Sequence, residues 1–219
     1  ARRFLAQRLI MRIVAGVARG RLIAVPRGTA TRPTTDRVRE AMFSSLTTRL
    51  MGHAETDIDN PWRGLRVVDL FAGSGALGLE ALSRGAATAV FVERDRRTAA
   101  LIQRNIVDLG LDHVGPQDTR VMAEDVHAWL HAQSGTGDID VVFADPPYAL
   151  ATDLIRPLMR RLASGALCRP GALIVVERET RQAQQPWDDD AGIESLDRRT
   201  YGETTLWYGR LASLTDTAA

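Results

Sequence analysis

Val67-Val68-Asp69-Leu70-Phe71-Ala72-Gly73-Ser74-Gly75-Ala76-Leu77-Gly78 is the stretch that decides how this chain folds. An apolar run ends in an acid, passes through a glycine loop and enters a helical repeat at Leu77, Leu79, Ala81 and Leu82. That order predicts a buried parallel strand, a tight turn and a helix N-terminus in one piece. Gly73, Gly75 and Gly78 have GxGxxG spacing, which lets a ligand approach the backbone and lets the helix pack closely on the strand. A second apolar run, Phe91-Val92-Glu93, ends in an acid about where a ribose diol would need one. Asp69 discriminates between cofactors. A carboxylate at this turn would repel a pyrophosphate, whereas the sulfonium and ammonium groups of S-adenosylmethionine would be held by it. The competing reading of Asp69 is a loop-capping carboxylate, and that of Glu93 a surface acid paired with Arg94 or Arg96.

Outward from this stretch the pattern is strand–helix alternation. Strands are expected near 65–70, 88–93, 119–123, 139–144 and 171–177, with helices near 76–84, 96–109, 125–133 and 151–163. Such alternation predicts an α/β fold with a parallel, doubly wound sheet. Ile193 to Thr200 and Thr204 to Leu211 are two strand-like runs joined through Tyr201-Gly202-Glu203, so they should close the sheet as an antiparallel edge hairpin. Five parallel strands plus a terminal hairpin resemble the Rossmann-like methyltransferase fold, which implies a mostly parallel seven-stranded sheet with a C-terminal antiparallel hairpin, here with a small N-terminal hairpin and helix extension. The expected division is 1–51 for the extension, 52–64 for a linker, 65–212 for the catalytic domain and 213–219 for a frayed tail.

The 219 residues suffice for one catalytic domain with a small appendage. No long apolar span suggests a membrane helix, and no leader pattern suggests secretion. Cys168 is the only cysteine, which excludes an internal disulfide, fits a cytoplasmic protein and reads as a small core residue. No metal site is expected. All 28 basic residues are arginine, and eleven of them fall in residues 1–50 against only Asp36 and Glu40. A basic arm on an acidic body points to a polyanionic partner.

Residues 1–10 precede a second methionine start at Met11 and are given no function. Arg12 to Ala15 and Arg21 to Val25 read as short strands around Gly16 to Gly20, a hairpin whose Arg12, Arg19 and Arg21 could touch phosphates. After Thr31-Arg32-Pro33-Thr34, the period of Val38, Met42, Leu46 and Leu50 predicts a helix over about 36–50, capped by Asp36 or Thr35. Arg32, Arg37 and Arg39 cluster at its start, a place to hold RNA phosphate or a cofactor carboxylate.

Asp125 follows the third strand and could accept from an adenine amino group, cap the next helix, or do both, with Glu124 as the competing acid. Asp145-Pro146-Pro147-Tyr148 is the sharpest motif, at the carboxyl end of the apolar strand Asp140 to Ala144. Ligands of open α/β sheets bind off this edge. Two prolines stiffen the turn and offer carbonyls without N–H donors, which makes a cage suited to an amino group. An exocyclic base amine is a poor nucleophile because its lone pair is conjugated with the ring. With Asp145 and the Pro146 carbonyl taking its two N–H bonds, the nitrogen can pyramidalise toward a methyl donor while Tyr148 stacks on the base.

Met11-Arg12-Ile13-Val14-Ala15-Gly16, Thr31-Arg32-Pro33-Thr34, Arg37-Val38-Arg39-Glu40, Asp69 to Gly75, Asp145 to Tyr148 and Tyr201-Gly202-Glu203-Thr204 occur in the order seen in the RsmD family, which this chain therefore resembles from Met11 to Leu211. The resemblance implies a 16S ribosomal RNA guanine-N2 methyltransferase that uses S-adenosylmethionine and acts on the small ribosomal subunit or its assembly intermediate. It implies that Asp69, Gly73, Gly75, Glu93 and Asp125 line the cofactor site, and their neighbours Phe71, Ala72, Arg94 and Val126, together with Asp145, are expected to border it. It implies that Asp145 to Tyr148 hold the guanine. A cytoplasmic monomer is expected, without metal or membrane association. A DNA adenine-N6 methyltransferase is the alternative, since the same tetrad can serve either base, but no segment is large enough for a separate DNA-recognition domain. The 52–64 linker looks longer than the family usually has, and Arg199 and Thr200 stand where a lysine is commoner.

Overall fold

The computed structural model describes residues 11–26, 35–52, 57–112, 119–134, 137–147, 149–164, 167–182 and 184–212. Residues 1–10, the Thr31 to Thr34 segment with Arg32, Tyr148 and the 213–219 tail lie outside them. In chain order the elements are β1 (Met11–Arg12), β2 (Leu22–Ile23), α1 (Asp36–Leu50), β3 (Arg66–Leu70), α2 (Ala76–Arg84), β4 (Thr88–Val92), α3 (Arg96–Asp108), β5 (Arg120–Met122), α4 (Val126–Ala132), β6 (Ile139–Ala144), α5 (Thr152–Ser164), β7 (Cys168–Glu179), β8 (Ile193–Tyr201) and β9 (Thr204–Leu211).

Strands β3 to β9 form one seven-stranded sheet in the order β5-β4-β3-β6-β7-β9-β8. The first five strands in that order run parallel, while β9 pairs antiparallel with both β7 and β8. The chain steps outward from β3 through β4 to β5, then returns to the other side of β3 with β6. The switch point of this doubly wound sheet therefore lies between β3 and β6, where ligands of such folds bind.

Strand alternation sorts the core into two layers. Val67, Phe91, Val141, Phe143 and Val175 pack with α1, α2 and α3 on one face. Val68, Leu70, Val92, Val142 and Val176 pack with α4 and α5 on the other. Helix α1 starts as its sequence predicts, with the Thr35 hydroxyl accepting from Val38 N–H at 3.3 Å. Its Phe43 ring lies 5.5 Å from Phe143 and 5.0 Å from Trp62, which is itself buried in the stretch expected as a linker. At the far end of α1, Arg49 pairs with Asp197 on β8 at 2.9 Å and covers the Tyr208 ring on β9.

The N-terminal segment docks on α2 through one buried acid. Glu80 accepts from Val14 N–H at 2.7 Å, Ala15 N–H at 2.9 Å and Arg84 Nε at 2.8 Å, and Arg39 Nε lies 3.7 Å away. Gly16 then turns at φ +83°, where a Cβ would sit 1.8 Å from the Ser83 carbonyl oxygen. Val17 N–H donates to that carbonyl, and the Ser83 hydroxyl donates to the Ala15 carbonyl.

Candidate active site

The glycine loop leaves β3 through a strained residue. Phe71 has φ 59°, the left-handed region that a bulky L-residue adopts only where its surroundings compel it. Ala72 N–H donates to the Val92 carbonyl, which ties the loop to the end of β4. The three glycines serve different purposes. Gly73 has φ +55° and faces open space, its nearest prospective neighbour being the Phe71 carbonyl at 3.9 Å. Gly75 is the N-cap of α2 at φ +80° and lies against Ile102. Gly78 lies so close to β4 that a Cβ would meet the Phe91 ring at 2.3 Å.

Asp69 does the capping that Gly75 cannot. Its Oδ2 accepts from Gly78 N–H at 2.9 Å, so the loop-capping role is real. Burial pushes Asp69 up to about 8; Glu93 adds repulsion, and the Gly78 N–H partly opposes both. Glu93 accepts from Gly73 N–H at 3.0 Å and from Asp95 N–H at 2.8 Å. Each carboxylate oxygen keeps a further lone pair. Asp125 caps α4 by accepting from His127 N–H at 2.9 Å, and it is exposed. Beside these acids, Arg94 is exposed whereas Ala72 and Val126 are buried.

On the other side of the switch point, Asp145 follows the last residue of β6. Leu70, Ala144 and Val176 are in register across β3, β6 and β7. Asp145 is half-buried and Pro146 is buried. Burial raises the Asp145 carboxyl well above its ordinary range; Glu177 and Asp69 raise it further, and Arg178 opposes them. The Arg178 guanidinium donates to the Leu150 carbonyl at 2.7 Å, fastening the loop that carries the Asp145 to Tyr148 motif. Beside this loop opens a polar cleft of about 510 Å³ whose lining includes Thr152, Thr180, Arg181, Gln182 and Arg198.

The structure thus brings Asp69, Gly73, Glu93, Asp125 and Asp145 to the carboxyl ends of adjacent strands, with Tyr148 outside the described residues. It corrects part of the arginine arm. Arg39 is fully buried, donating to the Arg12 carbonyl and to Asp36 at 2.8 Å, so it cannot touch RNA. Arg21 donates to the carbonyls of Asp108 and of Leu109 at the end of α3. Arg12 pairs with Asp36 at 3.0 Å, while Arg19 and Arg37 are exposed at the surface. Three residues were missed by sequence reasoning: Glu80, Glu177 and Arg178. Glu177 carried the same signal as Asp69 and Glu93, an acid closing the apolar run Ala172 to Val176.

The donor set at the glycine loop is acidic and partly buried, with an open approach at Gly73. It fits a cationic cofactor such as S-adenosylmethionine and would repel a pyrophosphate. Comparison with known proteins agrees with this chemistry. Residues 11–210 match the family described as conserved hypothetical protein 95. The chain is 38% identical over 169 residues to ribosomal RNA small subunit methyltransferase D of Escherichia coli (strain K12), covering 77% of this chain and 75% of the relative. It is 33% identical over 169 residues to the protein of that name from Haemophilus influenzae, covering 77% and 79%. The solved structure of Escherichia coli yhhF superposes with a TM-score of 0.73 at 30% identity, covering 93% of this chain and 98% of that one.

Proposed function

The chain belongs to the conserved hypothetical protein 95 family, the RsmD family, and on that premise we propose that it methylates the exocyclic N2 of one guanine in 16S ribosomal RNA. It is a methyltransferase of ribosomal RNA with S-adenosylmethionine as cofactor. The observation that carries the reading is the placing of Asp69 and Asp145 at the ends of neighbouring strands on either side of the switch point.

Bound there, S-adenosylmethionine supplies an electrophilic methyl group. The chain's own residues bind and orient. Asp69 and the open backbone at Gly73 would hold the cofactor's amino-acid end, while Glu93 and Asp125 would take its ribose hydroxyls and its adenine amino group. Asp145 and the Pro146 carbonyl accept from the target amine, and Tyr148 stacks on the base. A stacked base would have to be extruded to reach this pocket. Arg19 and Arg37 on the arm, with Arg181 and Arg198 at the cleft, offer surface cations for the RNA backbone. The protein acts as a cytoplasmic monomer on the small subunit or its assembly intermediate; among the described residues no helix is long and apolar enough to cross a membrane.

The test is methyl transfer to small subunits from a strain lacking this protein, followed by mass spectrometry of the nucleosides. N2-methylguanosine in 16S RNA is the expected product. Labelled adenine in duplex DNA, with none in the subunit, would overturn the substrate. Asp145→Asn should lower turnover by about 10²-fold or more while leaving cofactor affinity within about twofold.

A further inference from the structure

Two consecutive residues of β7 flank the Asp145 loop, and neither belongs to a motif recognised in the sequence. In the parallel pair β6–β7, Ala144 lies opposite Val176, so the next position along sets Asp145 beside Glu177 on the same face. Adjacent strands are about 4.8 Å apart, so these two residues are neighbours across the pair. Glu177 is 2% exposed, and the Thr204 hydroxyl of β9 is 3.5 Å from its Oε1. Arg178 points to the opposite face and is 1% exposed. It donates to the Leu150 carbonyl at 2.7 Å and to Gln182 Oε1 at 3.0 Å, while its Nε and Nη1 are buried without a hydrogen-bond partner. A buried guanidinium with two unused donors is costly for the fold alone. It is accounted for if its charge is needed next to the loop it holds.

We propose that Glu177 and Arg178 are opposed positioning residues for Asp145: the acid beside it on β7 and the cation that holds its loop together set the pH above which Asp145 accepts from the target amine. The inference rests on the reading of Asp145 given above and names what governs it. The charged groups acting on Asp145 are Asp69 from β3 and Glu177 from β7 on its own face and Arg178 of β7 from the other face, with Glu93 acting on Asp69 from the end of β4. Two acids against one cation leave the effect of burial on Asp145 without an offset. The pair lets the pocket be acidic enough for a cationic cofactor while Asp145 still ionises.

The test follows the side-chain carboxyl carbon of Asp145 by NMR in protein labelled with ¹³C-aspartate, the signal being assigned by its loss in Asp145→Asn. No substrate is required. Glu177→Gln keeps shape and removes one negative charge, and should move the midpoint down by about one pH unit. Arg178→Met should move it up, and Arg178→Lys should restore most of the wild-type midpoint. Should Arg178→Met fail to fold, Glu177→Gln and Arg178→Lys decide by themselves. An unmoved or raised midpoint in Glu177→Gln overturns the inference. The companion measurement is the pH profile of single-turnover methyl transfer, whose acid limb should move with the NMR midpoint in each variant. A limb that stays fixed while the midpoint moves also overturns it. Absence of methyl transfer by the wild-type protein would instead remove the functional reading and leave the NMR result to judge the pair.

Discussion

Asp69 is buried on an apolar strand, and its proton is part of the resting fold. Its unfolded value is 3.8 and its folded value is raised to about 8. Between these limits the native state keeps a proton that the unfolded chain has released. The stability from this residue is therefore complete below 3.8 and is lost as pH climbs to about 8. Asp69→Asn, which can still accept from Gly78 N–H, should flatten the fall in melting temperature across this window. A wild-type slope in that variant would show that the dependence arises elsewhere. The same residue couples ionisation to ligand binding, because a cation beside it favours the charged form. Binding of S-adenosylmethionine near neutral pH should therefore release protons, seen as calorimetric heats that vary with the ionisation enthalpy of the buffer. Equal heats in all buffers would contradict the assignment. Residue chemistry of this kind was legible in part. An acid ending an apolar strand marked Asp69, Glu93 and Asp145, and loop capping by Asp69 was the competing reading, but its partner could not be named, because Gly78 comes within reach only once the loop has turned.

Element by element, the alternation of strand and helix was readable because each period matches a single buried face. Helix α2 was expected at 76–84 and spans Ala76–Arg84, and β6 was expected at 139–144 and spans Ile139–Ala144. The N-terminal hairpin is shorter than its apolar alternation suggested, with β1 and β2 pairing only Met11 with Ile23 and Arg12 with Leu22. How that hairpin and α1 meet the sheet was not readable. Arg39 and Glu80 have the composition of a solvated helix face, and only the docked backbone of Val14 and Ala15 makes their burial favourable. Reading Arg39 as a surface charge led to the expectation that it would contact RNA. Glu80→Gln removes one partner of this buried network and should cost about 3–5 kcal/mol in urea unfolding. It should also loosen the arm selectively, giving early proteolytic cuts before α1. A destabilisation below about 1 kcal/mol would assign the anchoring to apolar contacts instead.

For the molecule as a whole, the segregation of arginine into the first fifty residues has two causes. Arg21 and Arg39 hold the arm to α3 and α2, whereas Arg19 and Arg37 remain at the surface. Replacing Arg19 and Arg37 together by glutamine should weaken RNA binding and reduce the salt slope by about 0.7 for each single-strand phosphate that is no longer neutralised. Arg21→Ala should instead lower the melting temperature with little change in slope, and the reverse pattern would return the arm to a wholly RNA-facing role. The account depends most on one spatial claim, that the ends of β3 and β6 form a single pocket for donor and acceptor. The most direct measurement is a crystal structure with S-adenosylhomocysteine bound. The account predicts its amino-acid end over Gly73 near Asp69, its ribose at Glu93, and its sulfur turned toward Asp145 and the Pro146 carbonyl. A ligand seated away from either strand end, or a sulfur turned away from Asp145, would contradict it.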